Sequence, residues 1–385
     1  MSNDQAKKVI IDRKQFPALF DALRSQGYRI VGPTVRENVI VYDEIGGVDD
    51  LPIGKTDEQA PGKYQLKQRT DKALFGFTVG PQSPKKFLFP MRSNLFSIQK
   101  EARGFRVSTN AKKDPGGVTK TAFLGIKACE LSAIAIQDKV FIEGEYSDSN
   151  YRALRERSLI VALNCTSPGE HCFCVSMKTG PRASKGYDLA MTEILNGDEH
   201  YFVVETGSTK GQDVLKSIPT HPSEQSHQKM EQQAIDGAVR SMGRVFDTKG
   251  VQDLLLDNPE HPEWDAVGAR CLTCSNCTLV CPTCFCSTVE DTTDLSGEHT
   301  ERWRRWNSCF TLDFTKVAGG NFRTSAKSRY RQWLTHKLAG WHEQFGTSGC
   351  VGCGRCITWC PVGIDILAEV ETIRGETTPR ANIPS

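Results

Sequence analysis

No run of about 18 consecutive apolar residues occurs in this 385-residue chain, so nothing in it reads as a membrane-spanning helix. The opening MSNDQAKKVIIDRKQF lacks the apolar core of a secretory signal, which makes a cytoplasmic location the expectation. An excess of one charge is missing too. The 48 Lys and Arg nearly balance 46 Asp and Glu, and a net charge of +2 gives no ground for nucleic acid as a global partner. With 38% hydrophobic and 24% charged residues, the chain has an ordinary globular composition and length enough for two or three domains.

Cysteine breaks this ordinary pattern. There are 15, an odd number, in a chain without an export signal, which argues against a disulfide framework and for thiolate ligation of metal. They are clustered: four between Cys129 and Cys174, six between Cys271 and Cys286, Cys309 alone, and four between Cys350 and Cys360.

The first 260 residues read as an α/β domain. Phe16, Leu19, Phe20 and Leu23 fall at helical spacing within 12–26, and short strand-like runs follow at Val39–Tyr42 and Lys86–Phe89. Thr121–Lys127 and Ser158–Asn164 read as buried strands on either side of a helix over Glu130–Phe141, a right-handed βαβ crossover with parallel strands. The polar stretch 207–227 reads as an exposed loop, with helices expected over 228–242 and 250–256. Beyond it, residues 261–368 read as an α-helical two-cluster ferredoxin domain. Its insertion, 282–349, is expected to be largely helical, and a polar tail covers 369–385.

The reason for the ferredoxin reading is spacing. Cys271, Cys274, Cys277 and Cys281-Pro282 form C-x2-C-x2-C-x3-C-P, and Cys350, Cys353, Cys356 and Cys360-Pro361 form it again. Three thiolates two residues apart wrap one face of a [4Fe–4S] cubane, and the fourth points away to ligate the other cluster. One cluster is therefore assigned to Cys271, Cys274, Cys277 and Cys360, and the second to Cys281, Cys350, Cys353 and Cys356. Ser275, Thr278, Gly352 and Gly354 are small enough to let backbone N–H groups approach the sulfurs. Structural zinc is the competing use of C-x2-C pairs, but it takes four ligands as two pairs rather than four in one stretch.

A third [4Fe–4S] site is expected in the N-terminal domain. Cys129 and Cys165 each follow a strand of the βαβ unit, so parallel pairing puts both at one sheet edge, where open α/β sheets hold ligands. Cys172 and Cys174, beyond the Pro168-Gly169 turn, can fold back to the same place. His171 reads as a solvated loop residue. Cys284, Cys286 and Cys309 remain outside these twelve ligands; they read as small packed thiols tuning the cluster environment, as extra ligands, or as a redox-active thiol pair beside the nearer cluster. A C-x-C pair does not readily close a disulfide between its own members. The Arg and Lys density over 302–337 suits compensation for clusters that each carry about −2, or partner docking. Trp303, Trp306, Trp333, Trp341 and Trp359 are expected in helix packing and interfaces, and Lys85 and Lys86 beside a strand.

At these residues the chain resembles the iron–sulfur β subunits of cytoplasmic sulfhydrogenase-type NiFe hydrogenases and the related A subunit of anaerobic sulfite reductase. The matching stretches are KKFLFP (85–90), FLGIKACELSAI (123–134), NCTSPGEHCFCVSMKTGP (164–181), CLTCSNCTLVCPTCFC (271–286), RRWNSCF (304–310) and CVGCGRCITWCPVGIDI (350–366). With IVGPT and DLPIGK near the start, they span nearly the whole chain. The resemblance implies a subunit that passes electrons between a flavin subunit handling NAD(P)H and a catalytic subunit, of hydrogenase or siroheme sulfite reductase type. The residues agree with a relay. No Gly-rich dinucleotide fingerprint follows a strand, since Gly116-Gly117 precedes one, and neither a nickel-holding C-x2-C pair nor a siroheme pattern is left over. The alternative is a self-contained iron–sulfur reductase using Cys284, Cys286 or Cys309.

Overall fold

A computed structural model describes residues 8–109 and 119–375. Gly116-Gly117 and residues 376–385 lie outside the described residues. The larger sheet has eight strands in the order His221–Pro222, Val9–Asp12, Glu199–Thr206, Leu189–Asn196, Ser158–Leu163, Thr121–Lys127, Arg29–Arg36, Val39–Glu44. Its four central strands, from Leu189–Asn196 to Arg29–Arg36, run parallel, and the flanking pairs are antiparallel.

Thr121–Lys127 and Ser158–Leu163 are buried at every residue, because helices or loops cover both faces of a parallel sheet. Phe16, Phe20, Phe75 and Phe202 pack with Leu124 and Val161 on one face; Phe123, Leu131, Ile134, Tyr151 and Ile160 pack on the other. The crossover helix Ala128–Phe141 begins directly at the strand end, where the Glu130 carboxylate accepts the Lys127 N–H at 3.1 Å. That abrupt strand-to-helix switch places Cys129 at the C-terminal edge of the sheet. Cys165 reaches the same edge two residues past its strand.

Several segments depart from expectation. Residues 207–227 are not a loop: they hold a helix, Thr209–Leu215, and a short edge strand, His221–Pro222. The Ser208 side chain caps that helix by accepting from Gly211 N–H at 3.2 Å. Lys85–Leu88 is a short helix, not a strand. The helix Ile366–Arg374 carries chain order past 369, where a polar tail was expected.

The insertion 282–349 is only partly helical. Ser287–Thr293 and His299–Trp306 form a hairpin that pairs with Arg92–Lys100 and Phe105–Thr109 in a four-stranded antiparallel sheet. Trp303 and Trp306 therefore stand on a strand rather than a helix. The Arg92 guanidinium lies 4.0 Å from the Trp303 ring centroid, and Trp306 donates to Phe89 C=O at 2.9 Å. The second half is helical as expected, Ala326–Thr335 and Trp341–Phe345, joined by a π-helical turn at His336–Gly340.

Trp264, Tyr330, Trp333, Leu334 and Ile357 build the core around the two cysteine motifs, together with Phe173, Phe246 and Leu255 from earlier in the chain.

Candidate iron–sulfur centres

Both cysteine motifs adopt the same local form: a loop of two positive-φ turns followed by one helical turn, Asn276–Leu279 in the first and Arg355–Thr358 in the second. Backbone N–H groups point at sulfur in both. Thr273 donates to Cys271 and Gly352 to Cys350, each at 3.4 Å, and Ile364 donates to Cys360 at 3.3 Å. The motifs are tied together where the Asn276 amide donates to Trp359 C=O at 3.2 Å.

The thiols fall into groups. Cys271, Cys274, Cys277 and Cys360 line one apolar hollow with Tyr330 and Trp333, and Cys356 of the second motif reaches it too. Burial raises the Cys277 thiol well above its ordinary pKa, and the nearby Cys271, Cys360 and Cys274 raise it further. Burial likewise raises Cys350, to about 12, with Cys353 and Cys281 adding to it. Cys356 is raised by burial and then by Cys350, Cys353 and Cys281. Cys281 is thus a neighbour of the second motif, and Cys360 of the first.

At the sheet edge Cys129, Cys165, Cys172 and Cys174 line another hollow, with Gly352 and Cys353 forming its far wall. Cys174 is pushed up to about 12, by burial first and then by Cys165 and Cys353. Gly169 N–H donates to the Cys172 sulfur at 3.4 Å. His171 is buried, not solvated: its Nδ1 is 3.0 Å from Thr358 Oγ1, and burial lowers its pKa. The turn that brings Cys172 and Cys174 back to the edge drives this ring into the second motif.

Three buried cations serve these groups; of these only Lys337 falls in the basic stretch 302–337 expected to offset cluster charge. Lys85 donates to the carbonyls of Cys281 at 2.7 Å and of Leu279 and Cys284 at 3.2 Å, closing the end of the first motif; its ammonium lies 4.1 Å from the Trp306 ring centroid. Lys337, on the π-helical turn, donates to the Cys281 sulfur at 3.2 Å. Burial pulls its pKa down, but Cys281, Cys284, Cys350 and Cys356 together carry it well up. Arg355 forms a buried ion pair with Glu130, beside Cys129, and donates to Gly80 C=O at 2.7 Å. The available signals were KKFLFP, which contains Lys85, and a lone lysine in the apolar run after Trp333.

The donor chemistry fits iron–sulfur clusters. Groups of thiols in apolar hollows are poor acids until a metal takes the proton's place. The Tyr330 hydroxyl and Trp333 Nε1, both lining the first hollow, are buried donors without a partner, placed for sulfide or thiolate acceptors. Among the described residues no three His, Cys, Asp or Glu side chains close around a single ion, so the thiols surround a space rather than a point.

Fold and thiol geometry together define an iron–sulfur protein with a C-terminal dicluster module, and the comparisons agree. The family model of the 4Fe–4S dicluster domain matches residues 270–364. The chain is similar to sulfhydrogenase 2 subunit beta of Pyrococcus furiosus, with 29% identity over 374 residues that cover 95% of this chain and 98% of the relative. No solved structure matches it. Electron transfer through [4Fe–4S] clusters, in the manner of a hydrogenase β subunit, is the role these findings support. No helix among the described residues is long and apolar enough to cross a membrane.

Proposed function

We propose that this chain is the electron-relay subunit of a multi-subunit oxidoreductase. On this reading it carries three [4Fe–4S] clusters between a flavin subunit that handles NAD(P)H and a NiFe-hydrogenase catalytic subunit. Cys271, Cys274, Cys277 and Cys360 hold the first cluster, Cys281, Cys350, Cys353 and Cys356 the second, and Cys129, Cys165, Cys172 and Cys174 the third. When bound, each cluster supplies one-electron storage at a potential set by charge, hydrogen bonding and exposure.

The observation that carries this reading is the segregation of twelve cysteines into three neighbouring groups, with Cys281 and Cys360 each lying with the other motif's thiols. The groups form a series. Cys353 belongs to the second and walls the third hollow; Cys281 and Cys360 exchange between first and second; and Cys274, the exposed member, brings the first to the surface. Lys337, Lys85 and Arg355 hold positive charge beside the thiolates, and Arg355 with Glu130 locks the second motif onto the sheet edge that carries the third. The chain's own residues thereby fix the spacing of the relay and moderate its negative charge.

Two substitutions test the assignment in anaerobically purified protein. Cys165→Ala should remove about one third of the iron and leave both ferredoxin-type signals in the electron paramagnetic resonance spectrum. Cys360→Ser should damage the cluster of Cys271, Cys274 and Cys277. Unchanged iron in the first variant would remove the third site, and loss of the Cys350-motif cluster in the second would refute the crossed ligation.

A further inference from the structure

The three cysteines left outside the relay are gathered as closely as those inside it. Cys284, Cys286 and Cys309 line one cavity, walled by Trp333, His336 and Lys337. Cys286 and Cys309 stand at the two feet of the Ser287–Trp306 hairpin: Ser287 pairs with Trp306, and Asn307 N–H donates to Cys286 C=O at 2.9 Å. The ladder thus brings together residues far apart in sequence. Cys309 lies close enough to the Cys286 sulfur to be the first cause of its lowered pKa. Cys309 is buried and Cys286 partly exposed to the cavity.

We propose that Cys286 and Cys309 form a reversible dithiol–disulfide couple, a two-electron site built beside the one-electron carriers. The proposal rests on the relay reading for its electron acceptor. On oxidation the two S–H bonds break and one S–S bond forms. Two protons leave through the cavity, and two electrons pass one at a time to an oxidised iron–sulfur centre such as the one that includes Cys281, which hands the first on to the neighbouring centre before it takes the second; reduction reverses each change. Cys281 is within reach because Lys337 Nζ donates to its sulfur at 3.2 Å and to the Cys284 sulfur at 3.6 Å, and Cys284 shares the cavity with Cys286 and Cys309.

Geometry favours a disulfide over further ligands. A disulfide needs sulfurs to close to about 2.05 Å, and the hairpin ladder holds Cys286 and Cys309 on the wall of one cavity. The C-x-C arrangement of Cys284 and Cys286 denies them a relaxed bond to each other, which leaves Cys309 as the partner for Cys286. The hydrogen bond from Cys309 also draws the Cys286 thiol down to about 7, and a thiolate is the form that engages in disulfide chemistry.

The test uses the full chain, purified anaerobically with its iron, and equilibrated in dithiothreitol buffers poised over a range of potentials. Acid quenching, alkylation and peptide mass spectrometry then score the linkage. A Cys286–Cys309 cross-linked peptide is expected at the oxidising end. It should give way on reduction to two alkylated cysteines along a two-electron curve. Cys286→Ser and Cys309→Ser should each abolish the cross-link while iron and acid-labile sulfide stay at the parent level. Alkylation of both thiols at every potential would overturn the proposal, and so would loss of iron in either variant, which would make these residues ligands. Linkage is read in the peptide and iron in the same sample, so failure of the relay reading registers separately.

Discussion

Between Cys271 and Cys281 the chain passes through positive φ at Thr273 (50°) and Ser275 (71°); between Cys350 and Cys360 it does so at Gly352 (66°) and Gly354 (74°). The backbone path is shared, yet only one motif uses glycine. The reason lies outside the loops. A Cβ on Gly354 would stand 2.6 Å from His171 C=O, and one on Gly352 would stand 2.7 Å from the Phe173 and Cys174 backbone. The first motif meets no such wall: Leu272 is 61% exposed, whereas its counterpart Val351 is 2% exposed. The same contrast runs through Asn276 and Arg355, which occupy equivalent positions. Asn276 makes one bond to Trp359 C=O, while Arg355 is buried against Glu130 and two backbone carbonyls. Two copies of one motif have been fitted to opposite tasks, one docked into the protein and one facing out of it.

The largest expected effect breaks the docking. Arg355→Met leaves Glu130 buried without its cation and should cost about 3–5 kcal/mol in chemical denaturation. Asn276→Ala, at the equivalent position, should cost about 1 kcal/mol. Equal losses would mean that the two motifs are held alike. Next comes the glycine contrast. Gly354→Ala adds both a backbone clash and left-handed strain, and should lower stability by about 2 kcal/mol or more. Ser275→Gly should change it by no more than about 1 kcal/mol, measured by thermal melting. A comparable loss in both would place the requirement in the loop itself. Smallest is Leu272→Ser, expected within about 0.5 kcal/mol of the parent with iron retained. Its effect should instead fall on electron delivery to a partner in the assembled complex, read by stopped-flow reduction, and an unaltered rate would move the exit away from Cys274.

The same contrast separates what the sequence made legible from what it hid. Thiol spacing is local, so the two motifs could be read directly. The meeting of Cys129 with Cys165 followed from one topological rule, because parallel strands end on the same edge. The hairpin Ser287–Trp306 escaped because its partner strand, Arg92–Lys100, lies about 200 residues away and its Arg- and Trp-rich face carries no clean apolar alternation. Lys85, the particular contacts of Lys337 and the Glu130–Arg355 pair escaped for a related reason. Each is defined by carbonyls, sulfurs or charges remote in sequence, and a lysine beside an apolar run looks like a solvated flank until its acceptors are placed. His171 was misjudged in the same way, since Thr358 supplies its burial.

The count of iron and acid-labile sulfide per chain, in protein purified without oxygen, bears most directly on whether three groups of thiols each cage a cubic inorganic core. The account requires about twelve of each, four per cubane. About eight of each would contradict the sheet-edge site, and a colourless preparation without labile sulfide would contradict the relay altogether.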